Sequence, residues 1–418
     1  MNGVLILTKW FPPRSDTASL RLSSWAKYMN AHGFFPIIVT VVDEEHGQSV
    51  IETETCKIVN IYCRTNYLRT LSNRQPSALR RKAFSFFDLM LENYSFYSYL
   101  RKLVPTCIDI IEKEKPVGMI VSAPPFSLFS LANRISKRTG IKWIADYRDD
   151  WTSNEEAHKV IRFRNMLQRR YERNSLRTAS AFLSVSAYQE LKIREIVSRR
   201  GFIIENGYDE YDASPKVSLP RNCDIEFSTD KLNIVYTGTL YDSQSMDFLE
   251  KVLDSLDADC RERVSMYFIG SDLGKITRSK ILKKYYGVII HSVPRIDKSS
   301  ADYLLGKSDL ALFIAYLDVS GNPIRGVPSS KLYEYIKCKK PVLMLPSDSD
   351  VAQETLEEVG LSISCDSVSG TCDVIEKLVI EKRKTGRVDR PVNEHSYKRF
   401  SRVALARRLA EVLEEIFL

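Results

Sequence analysis

The stretch VLILTKWFPPRSDTASLRLSSWAKYMNAHGFFPIIVTVV, residues 4–42, sets the pattern that the rest of the chain repeats. VLILTKW is apolar and of strand length, and the loop FPPRSDTAS follows it. A helix is expected from near Ser19 toward His32, because Leu22, Trp25, Ala26 and Met29 fall on one face at helical spacing. Asp16, Thr17 or Ser19 can cap its start. PIIVTVV is the next strand. It is apolar throughout, as a parallel strand covered on both faces should be.

VGMIVS, KWIADY, AFLSV and GFIIE continue the series with helical stretches between them. Such alternation predicts a parallel sheet wrapped by helices. After Gly207 the character changes: residues 208–231 are rich in Asp, Ser, Pro and Asn and read as a linker. Strand–helix alternation then restarts with LNIVYTG, VSMYFIG, YGVIIHS, DLALFIA, PVLMLP and LSISC. The expected class is α/β, with two Rossmann-like doubly wound domains, residues 1–207 and 232–394, facing a cleft. Residues 395–418 are expected to form a closing helix, since Val403, Leu405, Leu409, Val412, Leu413 and Ile416 recur at helical intervals.

The 418 residues suit two or three domains of roughly 100–200 residues each. Hydrophobic residues make up 44% and charged residues 27%, values of a globular chain. No apolar run approaches the ~20 residues that cross a bilayer, and the N-terminus has no signal-peptide pattern. The eight cysteines include no C-x-x-C pair, so they read as thiols in a reducing, cytoplasmic compartment. Five isolated histidines argue against a histidine-built metal site. The net charge of +8 leaves nucleic acid, an anionic membrane and phosphorylated substrates as partners. An insertion at about 60–105 sets Arg64, Arg69, Arg74, Arg80 and Arg81 beside an aromatic run including Phe84, Phe86 and Tyr94. It reads either as a helical insertion packed on the sheet or as a basic, aromatic surface for anionic lipid. No recognised nucleic-acid module accompanies it, so nucleic acid is not expected as a partner.

The chemistry-bearing stretch is GVPSSKLYEYIKCKKPVLMLP, residues 326–346, preceded by the loop DVSGNPIRGV. Pro328, Ser329 and Ser330 resemble a helix start, where free amides and the helix dipole bind anions. Lys331 in the first turn adds a positive charge. Glu334, three residues on, shares its side of the helix and is a good acceptor for sugar hydroxyls. Together they suit a ribose diphosphate. The same pair on a surface helix would equally be a solvated Lys–Glu pair.

Here the chain resembles the retaining nucleotide-sugar glycosyltransferases of the GT-B fold in the large group called family 4, in particular its bacterial surface-polysaccharide branch. That branch often shows a P-S-K arrangement, which SSKLYEY matches. The resemblance implies that Glu334 contacts the donor ribose. Other matches follow in the family's order: FPPRSDTASLRLSSWAKYMNAHGF as the opening loop and helix near the donor, with Asp16, Thr17 and Arg21; DYRDDW at 146–151; ENGYD at 205–209; VYTGTLYDSQSMDFLEKVL, with Gly238 and Thr239, opening the donor domain; and IHSVPR, ending at Arg295, which lines the nucleobase. The implied donor is a UDP- or GDP-sugar bound by Ser329, Ser330, Lys331 and Glu334, with no required cofactor or metal. The implied reaction is hexosyl transfer with retention to a saccharide or lipid-linked saccharide, in polysaccharide, lipopolysaccharide or capsule biosynthesis at the inner membrane face. Asp149 is the expected cleft carboxylate that positions the reacting sugar or acceptor. Asp146 reads either as a second site residue or as a strand-end cap.

Three departures qualify the match. Gly326 stands where many members have a first glutamate, Thr239 where they have an arginine, and the polar stretch around Gln244 where they have a lysine. The missing positive charge would have to come from amides, or from Arg14 or Arg21. Two other readings stay open: a GT-B nucleotide-sugar epimerase, for which His291 is the evident donor-domain histidine, and a non-catalytic nucleotide-sugar-binding assembly partner. Asp348-Ser349-Asp350 mimics a metal-binding D-x-D motif, but its place between a strand and a helix predicts capping. No G-x-G-x-x-G follows either first strand, which argues against NAD or FAD.

Overall fold

The computed structural model describes residues 1–12, 17–42, 49–62, 94–153, 162–209, 225–240, 244, 246–270, 280–317, 324–326, 329–347 and 350–418. These form two compact units: Met1–Asn206 with Arg402–Leu418, and Gly207–Ser401.

The sheet of the first unit runs in the order β3 (Ser49–Glu52), β4 (Lys57–Tyr62), β2 (Phe34–Val42), β1 (Asn2–Thr8), β5 (Gly118–Ala123), β6 (Trp143–Tyr147), β7 (Ala181–Ser184), β8 (Gly201–Ile203). All pairings are parallel except β3 with β4. The apolar run of β1 is explained by its central place. Leu5 and Leu7 enter one core, with Phe129 and Ile193, while Val4 and Ile6 enter the other, with Leu22 and Trp25. Alternate side chains of a strand point to opposite faces, so a strand covered twice must be apolar at every position.

The second unit repeats the plan. Its parallel sheet has the order β11 (Ile290–Val293), β10 (Val264–Ile269), β9 (Leu232–Thr237), β12 (Leu310–Ile314), β13 (Val342–Leu345), β14 (Ser362–Ser364). Leu310, Leu312 and Ile314 face one core and Ala311 and Phe313 the other. Each strand order reverses beside its unit's first strand, β1 or β9, which is the switch point where doubly wound sheets take ligands at their carboxyl ends.

The C-terminal segment departs from the single helix expected of its periodicity. Helix Glu394–Arg399 ends at Phe400, and a second helix, Arg402–Phe417, begins beyond Ser401. Phe400 is 1% exposed, packs on Tyr333 at 5.8 Å and accepts a hydrogen bond from the Tyr208 amide at 3.0 Å. That anchoring stops the first helix in the second unit, and the last helix belongs to the first unit. The expected linker is packed at both ends: Tyr208 is buried, and Ile225 and Phe227 lie against the core containing Tyr267. Residues 210–224 lie outside the described residues. So does most of the basic-aromatic insertion, at 63–93; its last part is helix Tyr94–Glu114, which buries Leu103, Val104, Cys107 and Ile110.

The last helix is locked by a close contact. A Cβ on Gly118 would lie 2.4 Å from the ring of Phe417. Gly118→Ala should therefore destabilise the first unit by about 1–3 kcal/mol through overpacking. In a Phe417→Ala background the same change should be close to neutral, and urea unfolding of the four chains checks both statements. No helix among the described residues is long and apolar enough to cross a membrane.

Candidate functional site

In the second unit the candidate residues Gly238, Lys331 and Arg295 lie near the carboxyl ends of its central strands. Helix Ser330–Lys337 buries Leu332, Tyr333, Tyr335 and Ile336, which leaves Lys331 and Glu334 on the remaining side. Tyr335 fastens the helix to the sheet: its hydroxyl donates to the Leu312 carbonyl at 2.9 Å and accepts from the Thr237 amide at 3.3 Å. Burial pushes that phenol up to about 12, so it stays a donor. Ser329 occupies the N-cap position, yet its side chain makes no capping hydrogen bond. Its carbonyl instead accepts from the Leu332 amide at 3.1 Å.

Lys331 reaches from this helix to the end of β9. Its Nζ donates to the Tyr236 hydroxyl and to the Thr239 carbonyl, the latter at 2.8 Å, and lies 4.5 Å from the centroid of the Tyr236 ring. Gly238 makes the approach possible. It has φ +92°, and a Cβ there would stand 2.9 Å from Lys331 Cε. Only glycine meets both conditions without strain. Burial lowers the Lys331 ammonium to about 8. The backbone of β10 and the segment after β11 close in as well: a Cβ on Gly270 would lie 3.8 Å from Gly238 Cα and 3.9 Å from Arg295 Cα. Arg295 itself is exposed.

Glu334 is held at one oxygen. Lys298 Nζ donates to Oε1, while Oε2 is buried and has no hydrogen-bond partner among the described residues. Beside this pair, Lys337 Nζ donates to Asp302 at 2.7 Å.

Several expectations need correction or narrowing. Thr239 is exposed and contributes its carbonyl to Lys331. Gln244 is buried, donating to the Ile314 carbonyl at 2.7 Å and pairing with Tyr236 at 3.1 Å, a contact that props the lysine's platform. Asp350 stands at the N-cap of helix Val351–Val359 but makes no capping bond there. It accepts instead from the Gly326 amide and faces Arg325 Nε at 3.9 Å, so it pins the turn where Gly326 has φ +78°. Asp348 and Ser349 lie outside the described residues. His291 is stacked on Tyr267 with centroids 4.8 Å apart, and partial burial lowers its pKa.

In the first unit, Arg21 is 2% exposed. Its Nη2 donates to Asp146 Oδ1 at 2.9 Å and its Nη1 to the carbonyls of Ile204 and Glu205 at 2.7 and 2.8 Å. Ser122 donates to Asp146 Oδ2 at 2.6 Å. Arg21 and Asp146 thus tie β5, β6 and the end of β8 together, and the guanidinium expected near the donor phosphates is enclosed in the fold. Asp149 is exposed; partial desolvation raises its pKa, opposed by Arg148 and reinforced by Asp146. The segment around it is rigidly set. Trp151 stacks on Phe126 at 4.8 Å, and Thr152 and Tyr147 both donate to buried Glu172. Asp16 lies outside the described residues, and Thr17 opens the helix Thr17–Tyr28. Tyr236, Tyr335 and Lys298 had no sequence signal, because each acts through a contact distant in the chain. Among the described residues, no group of three or more His, Cys, Asp or Glu forms a metal cage.

No family model matches the chain, and no curated protein matches it. Solved structures do. Sucrose-phosphate synthase from Thermosynechococcus elongatus aligns with TM-score 0.67 at 14% identity, over 100% of this chain and 99% of that one. The trehalose-6-phosphate synthase OtsA aligns at 0.60 and 12% identity, covering 99% and 98%. Anabaena HepE in complex with UDP-glucose aligns at 0.58 and 13%, covering 99% and 100%. Likeness at this identity defines the fold: the chain has the GT-B architecture of two Rossmann-like units.

Proposed function

We propose that the protein is a glycosyltransferase that moves a sugar from a UDP- or GDP-sugar to a saccharide acceptor, with retention and without a required metal. The observation that carries this reading is the placement of Lys331 over Gly238, at the carboxyl end of β9, with the half-satisfied Glu334 carboxylate on the same helix. Cleaving a sugar–phosphate bond builds negative charge on the departing diphosphate. Lys331 and the amides from Ser329 onward would stabilise that charge more in the transition state than in the ground state. Glu334 would accept from the ribose hydroxyls, Arg295 and Gly270 would border the base, and Asp149 would position the acceptor. Among the fold neighbours, HepE binds UDP-glucose, and trehalose-6-phosphate synthase has been analysed for transfer with retention.

The acceptor we propose is a lipid-linked saccharide at the cytoplasmic face of the inner membrane, in surface polysaccharide, lipopolysaccharide or capsule synthesis. A described surface favours this location. Helices Ser127–Thr139 and Arg162–Ser175 lie side by side, joined by Ser130 to Tyr171 at 2.8 Å and Asn133 to the Asn174 carbonyl at 3.2 Å. Their outer faces expose Arg134, Lys137 and Arg138 on one and Arg169, Arg170 and Arg173 on the other. Met166 and Leu167 are exposed among them. Neither helix exposes an acid, because the first contains none and Glu172 of the second is buried. Basic residues around exposed apolar side chains suit an anionic lipid interface. The protein should float with phosphatidylglycerol vesicles at low salt and not with neutral ones; absence of flotation at every salt concentration would remove the membrane from the proposal.

Donor use is tested by incubation with a panel of UDP-, GDP- and ADP-sugars, with and without membrane extract. Nucleotide release that depends on extract supports transfer, and conversion of one UDP-sugar into its epimer points to the isomerase. The Lys331 ammonium gives a further expectation. Only its protonated form attracts a diphosphate, so affinity for a nucleotide-sugar should hold below about pH 8 and fall above it. Lys331→Ala should flatten that profile, as read by calorimetry across pH.

A further inference from the structure

The helix Lys298–Lys307 faces the site helix Ser330–Lys337 through two opposite pairs set one turn apart. Lys298 meets Glu334, and Asp302 meets Lys337. The pairs differ in what they leave over. Asp302 and Lys337 are 13% and 11% exposed and satisfy each other at 2.7 Å. Glu334 is engaged only at Oε1, and its Oε2 is buried with no hydrogen-bond partner among the described residues. A buried carboxylate oxygen without a donor is unfavourable, so its persistence in a packed site marks a place where a ligand donor belongs.

We propose that Lys298 is a positioning residue for donor recognition: it holds Glu334 by Oε1 so that Oε2 stays clear of the protein's own donors and is left for the ribose hydroxyls when a nucleotide seats. The inference rests on the nucleotide-sugar reading of the site. Lys298 is 49% exposed, so it has little role in the core and acts through Glu334. Lys337, three residues beyond Glu334 and on the same side of the helix, is the alternative partner for the carboxylate. Asp302 supplies the repulsion: burial, and next the Glu334 charge, raise its pKa. Without Lys298, Glu334 would turn toward Lys337 and compete with Asp302 for it. The ribose would then lose its acceptor, while the phosphate contacts at Lys331 and the helix start would stay in place.

The test uses the full chain and calorimetry with UDP, GDP and ADP, followed by the 2′,3′-dideoxy form of whichever binds best. The wild type should prefer the ribose form by about tenfold or more, the range of a hydrogen bond to a charged group. Lys298→Met should remove most of that preference while leaving affinity for the dideoxy form essentially unchanged, and Lys298→Arg should restore it. An undiminished ribose preference in Lys298→Met overturns the proposal. An equal loss for both forms overturns it too, because Lys298 would then serve the phosphates or the fold. If the wild type binds none of the three diphosphates, the donor reading itself fails and takes this inference with it, an outcome distinct from the other two.

Discussion

Asp146→Ala is expected to cost about 3–5 kcal/mol of stability, the largest effect anticipated for any single change here, because it leaves the Arg21 guanidinium buried without its counter-charge. Both partners are almost fully enclosed, at 2% and 0% exposure. The remaining acceptors, the carbonyls of Ile204 and Glu205, can hold Nη1 but give Nη2 no charge partner. Ser122 would lose its acceptor as well. Urea unfolding checks the expectation, and a cost below about 1 kcal/mol, the level of an exposed ion pair, would show that the pair is not buried in solution. The double change Arg21→Met with Asp146→Ala should recover part of the loss, since an apolar pair needs no compensation. Any loss of activity in the single variant would then follow from instability of the first unit. The exposed neighbour Asp149 is the carboxylate we propose for positioning the acceptor, and Asp149→Ala should lower turnover with little change in unfolding.

Lys331→Ala carries the second large effect, on binding. Removing a charge-assisted contact to a diphosphate should weaken donor binding and turnover by about 1.5–3 kcal/mol, or roughly 10- to 150-fold. The fold should tolerate the change, because the helix is anchored by Leu332, Tyr333, Tyr335 and Ile336. Lys331→Arg should rescue only in part. The lysine stem passes 2.9 Å from where a Gly238 Cβ would sit, and a planar guanidinium has a different shape and donor geometry from an ammonium above the same ring. Unchanged donor affinity in Lys331→Ala would take the residue out of the site.

The architecture was readable in the sequence because parallel strands covered on both faces cannot hide their apolar runs. PIIVTVV, for instance, lies wholly within β2 and is buried at every position but Val42. What sequence could not supply were contacts made across long chain separations. The periodicity from Ser396 to Leu418 runs on without a mark at Phe400, and the break exists because Tyr333 packs on that ring and the Tyr208 amide holds its carbonyl. Arg21 looks like any helical arginine until three acceptors from other elements enclose it. Asp350 has the sequence of a cap, but a turn arriving from 325–326 offers it a backbone amide and a cation. Gly238 illustrates both limits. Its place after a strand was legible, whereas the reason it must be glycine, a lysine stem from another helix, was not.

Whether Lys331 and Glu334 hold a nucleotide-diphosphate donor is tested most directly by titration calorimetry of the wild type and Lys331→Ala with UDP- and GDP-sugars. The wild type should bind at least one such sugar, and the variant, folded normally, should bind it at least about tenfold more weakly. Wild-type protein that binds none of them, or a variant that binds as tightly as the wild type, would contradict it.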